Sequence, residues 1–179
     1  MDRTKGLRGW NVAVLVAIGL VWCASSTQRE KRVVGDLHEG RVASLEDKAA
    51  AEPTDPARVR ELAQAYLDAR QPGMAMATIE RAPTSVRENP TVEHLYARAL
   101  LDQGRSADAL AAEHRVLARC SEPLPGAQPC SSYLIASATR RADILAQLVQ
   151  LGIEDANAHP EASSLAYLNA TRQVSLSVH

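Results

Sequence analysis

Residues 56 to 83 and residues 90 to 117 lie over one another at an offset of 34 positions. Pro56 meets Pro90, Ala63 meets Ala97, Ala65 meets Ala99, Leu67 meets Leu101, Asp68 meets Asp102, Ala75 meets Ala109, Ala77 meets Ala111 and Arg81 meets Arg115, which is eight identities in 28 aligned positions. Leu62 over Tyr96, Tyr66 over Leu100 and Met76 over Leu110 match in type. Within each copy the apolar residues recur at intervals of three and four, the spacing of one face of a helix. Asp55-Pro56 and Asn89-Pro90 each offer a side-chain cap followed by a proline at the first helical position. Arg70-Gln71-Pro72-Gly73 and Gln103-Gly104-Arg105-Ser106 supply a turn in the middle of each copy. Each copy therefore reads as two helices joined by a tight turn.

What can fill such a stack follows from the composition. Phe is absent and both Trp residues, Trp10 and Trp22, stand near the N-terminus, so the rest of the chain packs with Ala, Leu, Val, Ile and four Tyr. Alanine on facing helices lets the backbones approach closely, whereas the β-branched and aromatic alternation of strands is sparse until the last residues. An all-α fold is predicted. The formal charge of −1 gives no reason to expect nucleic acid as a partner.

A period of 34 residues made of two helices resembles the tetratricopeptide repeat. The residues that carry the resemblance are the small positions Ala63, Ala75 and Ala82 in the first copy and Ala97 and Ala109 in the second, with Leu62, Tyr66 and Ile79 beside them. It departs from the family at Glu113, where a large apolar residue is preferred, and at Pro83, which ends the first copy's second helix early. The resemblance covers residues 56 to 119 and extends to 41–55 as a half-unit. It implies a short helical-hairpin solenoid whose first helices line a concave, partner-binding surface. Arg60, Gln64, Leu67 and Asp68 would then lie beside His94, Arg98, Leu101 and Asp102, with the leucines giving apolar contact and the arginines reaching a carboxylate or carbonyl of a bound peptide. Thr91 and Leu95 do not fit the family's clamp for a chaperone's C-terminal carboxylate, so that ligand is not expected.

The first 25 residues have the order of an export signal: Arg3, Lys5 and Arg8, an apolar run from about Val12 to Ala24, then small polar residues. From Trp10 to Ala24 a helix spans roughly 22 Å, short of the ~30 Å hydrocarbon layer. Leu20-Val21-Trp22-Cys23 resembles the lipobox of bacterial lipoproteins, apart from Trp22 where a small residue is usual. Lipidation of Cys23, an uncleaved anchor and release after Ala24-Ser25-Ser26 remain three open outcomes. All three place the rest of the chain on the extracytoplasmic side of the membrane. Among the 20 basic residues only Lys5, Lys31 and Lys48 are lysines, and alanine is abundant, a bias of GC-rich bacterial genomes.

Residues 26–40 read as a polar tether, and 41–52 as a helix that Pro53 stops. Cys120 and Cys130 bracket a Pro- and Gly-rich loop, where they either form a disulfide in an oxidising compartment or remain two small buried thiols. Residues 131–173 read as capping helices, with Leu134, Ala138, Ile144, Leu145, Leu148 and Leu151 on one face and Leu165, Leu168 and Tyr167 turned inward farther on. Whether 131–151 is one helix or a pair turning near Ala138-Thr139-Arg140 is left open, with Gly152 as the stop. The tail 174–179 alternates Val174, Leu176 and Val178 and reads as a short strand or an unstructured end.

No catalytic motif is present in the sequence, and no metal or cofactor is expected. The expectation is a non-enzymatic, membrane-tethered interaction scaffold of the bacterial cell envelope, holding another protein or peptide in its groove. A regulatory subunit of an envelope enzyme and a periplasmic chaperone are the alternatives.

Overall fold

The computed structural model describes residues 40–122 and 129–176. The expected signal segment with Cys23, the tether up to residue 39 and the centre of the Cys-bracketed loop lie outside them. Residues 44–179 form one compact unit, and of the unit before it, residues 1–43, only the start of helix α1 (residues 40–51) is described. The described residues are helical with turns and contain no strand. No described helix is long and apolar enough to cross a membrane.

Two hairpins follow α1. Helix α2 (Pro56–Asp68) starts at Asp55, whose Oδ1 accepts the Ala57 N–H at 2.8 Å. Residues 69–71 turn the chain back so that α3 (Pro72–Arg81) packs on α2. Helix α5 (Pro90–Asp102) starts in the same way at Asn89, whose Oδ1 accepts the Thr91 N–H at 3.0 Å, and α6 (Ser106–Ser121) packs back on α5. Each cap satisfies a backbone donor that the helix leaves free and contributes about 1 kcal/mol.

The first helix of each hairpin also ends in the same conformation. Arg70 and Gly104, 34 positions apart, both have left-handed φ, 59° and 74°. Beyond them the Gln71 N–H reaches Tyr66 O at 2.8 Å and the Arg105 N–H reaches Leu100 O at 2.9 Å, which closes the last turn. Ala63, Ala75, Ala97 and Ala109 are fully buried, so each hairpin meets through alanine. Between the hairpins lies α4 (Thr84–Arg87), a single turn absent from the sequence reading. Pro83 cannot continue α3, but its carbonyl accepts the Val86 N–H at 2.9 Å and starts α4, which buries Val86.

The segment after the disulfide is one helix and not a pair: α7 (Ser132–Gln150) runs without a break from a Ser131 cap. Gly152, at φ 69°, stops it, and the Ile153 N–H closes onto Leu148 O at 2.9 Å. Cys120 and Cys130 are joined by a disulfide that ties the end of α6 to the entry of α7, over a small cluster of Val116, Leu134 and Ala138. Leu145 and Leu148 of α7 pack with Leu100, Ala112 and Ala166 in the main core.

Helix α8 (Pro160–Leu176) corrects two expectations. Its inward face is Ala166 and Ala170, while Leu165 is 57 % and Leu168 47 % exposed, with Tyr167 exposed beside them. Small residues let α8 approach α7 closely, and the two leucines, one position (Leu165) and two positions (Leu168) from the nearest of these alanines, turn outward. Leu151, expected inward, is also exposed. Residues 174–176 continue the helix and form no strand.

Candidate functional site

Glu113 sits on α6 with no exposed surface. An ionised carboxylate there has to be compensated by partners, and α5 and α7 supply them. His94 Nδ1 lies 2.8 Å from Glu113 Oε2, and Arg141 donates from NH1 to Oε1 at 2.9 Å. Arg141 NH1 also donates to the His94 carbonyl at 3.1 Å, which ties the start of α5 to the middle of α7. On the far side of the imidazole, Nε2 lies 3.1 Å from Ser137 Oγ. Three helices are thus held together by one polar cluster.

Ser137 and Arg141 also face a groove of about 390 Å³ between α5 and α7. Along α7 the positions 133, 137, 140, 141 and 144 fall at intervals of three and four, so Tyr133, Ser137, Arg140 and Ile144 form one stripe beside the buried one. Leu101 of α5 makes the opposite wall. Tyr133 is 82 % exposed, which leaves a large ring standing at the open edge of an apolar groove. Arginine at the rim adds positive charge to that apolar wall.

The eight residues expected to line a concave surface are divided by the structure. Leu101 lines the groove, and His94 stands behind it against Ser137 and Arg141. Arg98 is half-buried, and Arg60, Asp68 and Asp102 are exposed. Gln64 donates to its neighbour Asp68 at 2.7 Å. Leu67 is a correction: at 2 % exposure it belongs to the core, on a helix, α2, that packs against both α3 and α5. Sequence reasoning missed Tyr133, Ser137, Arg140 and Arg141. The second stripe on α7 was the signal for them, and it was hidden beside the stronger stripe of Leu134, Ala138, Leu145 and Leu148.

A second cavity of about 250 Å³ lies under α4, between Glu80, Glu88 and Glu93 and Arg87, Arg115 and Arg119. Glu93 is buried and accepts from Arg115 at 2.6 Å and from Arg119 as well. Three carboxylates stand against three guanidiniums, so the lining carries no net charge to select a ligand; Glu88 and Glu93 pair with Arg115 and Arg119, while Glu80 accepts from Tyr96 and Arg87 donates to Thr84. Among the described residues no group of acidic, His or Cys side chains is placed to hold a metal ion. No known protein family, curated protein or solved structure matches the chain.

Proposed function

We propose that the chain is an exported, membrane-tethered interaction scaffold of the bacterial cell envelope, and that it holds a segment of a partner protein in the groove between α5 and α7. The observation that carries this reading is that groove, with Leu101, Ile144 and the exposed Tyr133 as apolar wall and Arg140 at its edge. An exposed aromatic beside a rim of arginine is the composition that interfaces favour. In this reading the fold is a short solenoid of the tetratricopeptide kind. The recurrence at 34 positions of the caps Asp55 and Asn89, of the left-handed residues Arg70 and Gly104 and of the buried alanine pairs supports it. The Cys120–Cys130 disulfide supports export, since such bonds persist in oxidising compartments. Cys23 and the apolar run before it supply the attachment.

The test is photo-crosslinking in intact cells of the source bacterium, with a photoreactive residue at position 133 and, as control, at His114 on the exposed side of α6. A discrete adduct from position 133 that is absent at position 114 is the expected result, and Arg140→Glu should weaken it at least tenfold. Equal labelling from both positions would end the proposal.

A further inference from the structure

We infer that Ser137 is a nucleophile for acyl transfer, activated by His94 and opening into the α5–α7 groove. The inference does not depend on a polypeptide occupying that groove. Its basis is a chain of three side chains from three helices: Ser137 Oγ lies 3.1 Å from His94 Nε2, and His94 Nδ1 lies 2.8 Å from Glu113 Oε2. A nucleophile within hydrogen-bond reach of a base, itself oriented by a third group, is the arrangement that activates a serine.

The tautomer follows from the distances. Arg141 NH1 lies 3.4 Å from His94 Nδ1, a long contact, whereas Glu113 is 2.8 Å away and can only accept when ionised. Nδ1 therefore carries a hydrogen that it donates to Glu113, and Nε2 is left as the acceptor facing the Ser137 hydroxyl. Glu113 in turn cannot drift, because Arg141 holds its other oxygen at 2.9 Å. The imidazole is oriented on one side by a buried carboxylate and on the other reaches a serine that lines an open groove.

The remaining requirements lie on the same face of α7. Arg140 follows Ser137 by three residues and lines the same groove, which puts a guanidinium within reach of a carbonyl oxygen held over Oγ. Leu101 and Ile144 offer apolar wall to an acyl chain. The substrate class is therefore a short-chain carboxylic ester. Ser137 Oγ gives its proton to His94 Nε2 and bonds to the acyl carbon, while the carbonyl electron pair moves onto oxygen beside Arg140. Collapse breaks the bond to the alcohol, which leaves with the proton from Nε2. Water then loses a proton to Nε2 and attacks the acyl-serine, and Ser137 departs with that proton as the carboxylic acid is released.

The experiment uses the folded chain with p-nitrophenyl butyrate and, separately, an alkyl fluorophosphonate, followed by peptide mass mapping. One fluorophosphonate adduct on Ser137 is expected, together with p-nitrophenol release at least tenfold above that of the same chain unfolded in urea. Ser137→Ala removes only one oxygen from a half-exposed position and should abolish both. His94→Ala should slow labelling about a hundredfold, the scale of a lost general base. Glu113 is a positioning residue, so Glu113→Gln should lower kcat for the ester and leave KM unchanged. Absence of a Ser137 adduct on the folded protein, or ester hydrolysis that survives in Ser137→Ala, overturns the inference. Neither result touches the crosslinking test of partner binding.

Discussion

Glu113 occupies in the second hairpin the position that Ile79 occupies in the first, 34 residues earlier, and both side chains are buried. Ile79 fills its site with hydrocarbon and needs nothing more. Glu113 fills the same site with a charge, so α7 has to deliver Arg141 and α5 has to deliver His94. The exchange converts an ordinary packing position into a joint between three helices. Breaking a buried pair by removing one partner costs about 3 to 5 kcal/mol in full burial. Arg141 keeps part of its side chain in solvent, so Arg141→Ala should cost nearer 2 to 3 kcal/mol by urea denaturation. Glu113→Ile, which restores the first hairpin's residue, should cost less than Arg141→Ala, because the charge it strands, Arg141, is partly exposed, whereas Arg141→Ala strands the fully buried Glu113 carboxylate. The reverse order would show that the cluster does not hold α7 in place.

The two left-handed turns make a paired prediction. Arg70 adopts φ 59° with a Cβ in the way, at a cost of about 1 to 2 kcal/mol, whereas Gly104 adopts φ 74° without one. Arg70→Gly should therefore stabilise by about 0.5 to 1 kcal/mol once the looser unfolded chain is counted. Gly104→Ala should destabilise by more than 1 kcal/mol. Besides the strained φ, the added Cβ would stand 3.0 Å from Asp155 Cβ, in the segment that also accepts both Ser106 hydrogen bonds through Glu154 O. Thermal melts of the two variants should shift in opposite directions.

Local chemistry explains why so much of the helical framework is legible in the sequence. Asp55, Asn89, Pro56, Pro90 and Gly152 act within a turn of where they stand, and the alanine contacts recur with a period that alignment exposes. The orientation of α8 is different in kind: Ala166 and Ala170 form one stripe and Leu165 and Leu168 another, and only the close approach of α7 decides between them. Leu67 lies in the core for a reason of the same kind, since only the packing of α2 against α3 and α5 decides which of its faces is covered. The polar cluster joins positions 94 and 113 to the pair 137 and 141, and only that last pair shares a helical spacing. It becomes visible only when α5, α6 and α7 are packed.

The disulfide closes a loop of ten positions between α6 and α7. Constraining the unfolded chain over so short a loop contributes about 2 to 3 kcal/mol. Reduction, or Cys120→Ser with Cys130→Ser, should lower stability by that amount in urea. Because Cys120 and Cys130 pack on Val116, Leu134 and Ala138, the loss should be local at first. Hydrogen exchange should quicken in the first turns of α7 before it changes in α2 or α3, and a uniform change across the chain would contradict this account.

Alkaline pH tests the docking of α1. Tyr66 is buried, and its hydroxyl donates to Glu46 of α1; burial first, then the hydrogen bond to Glu46 and the repulsion of its charge, push the phenol up to about 12 from an ordinary 10. Its proton is therefore held more tightly in the folded chain than in the unfolded one. That difference stabilises the fold fully below pH 10 and is lost as pH rises from about 10 through about 12. The amount at stake is about 2 to 3 kcal/mol at 1.4 kcal/mol for each pH unit. Tyr96, raised in the same direction by burial and by Glu80, adds to the effect. Stability measured in urea at pH 8 and at pH 11.5 should fall across that interval. In Tyr66→Phe the starting value should be lower and the fall shallower, because no phenol remains there to ionise beside Glu46. An identical slope in the two proteins would place the alkaline transition elsewhere in the chain and leave the contact of Glu46 with Tyr66 without energetic weight.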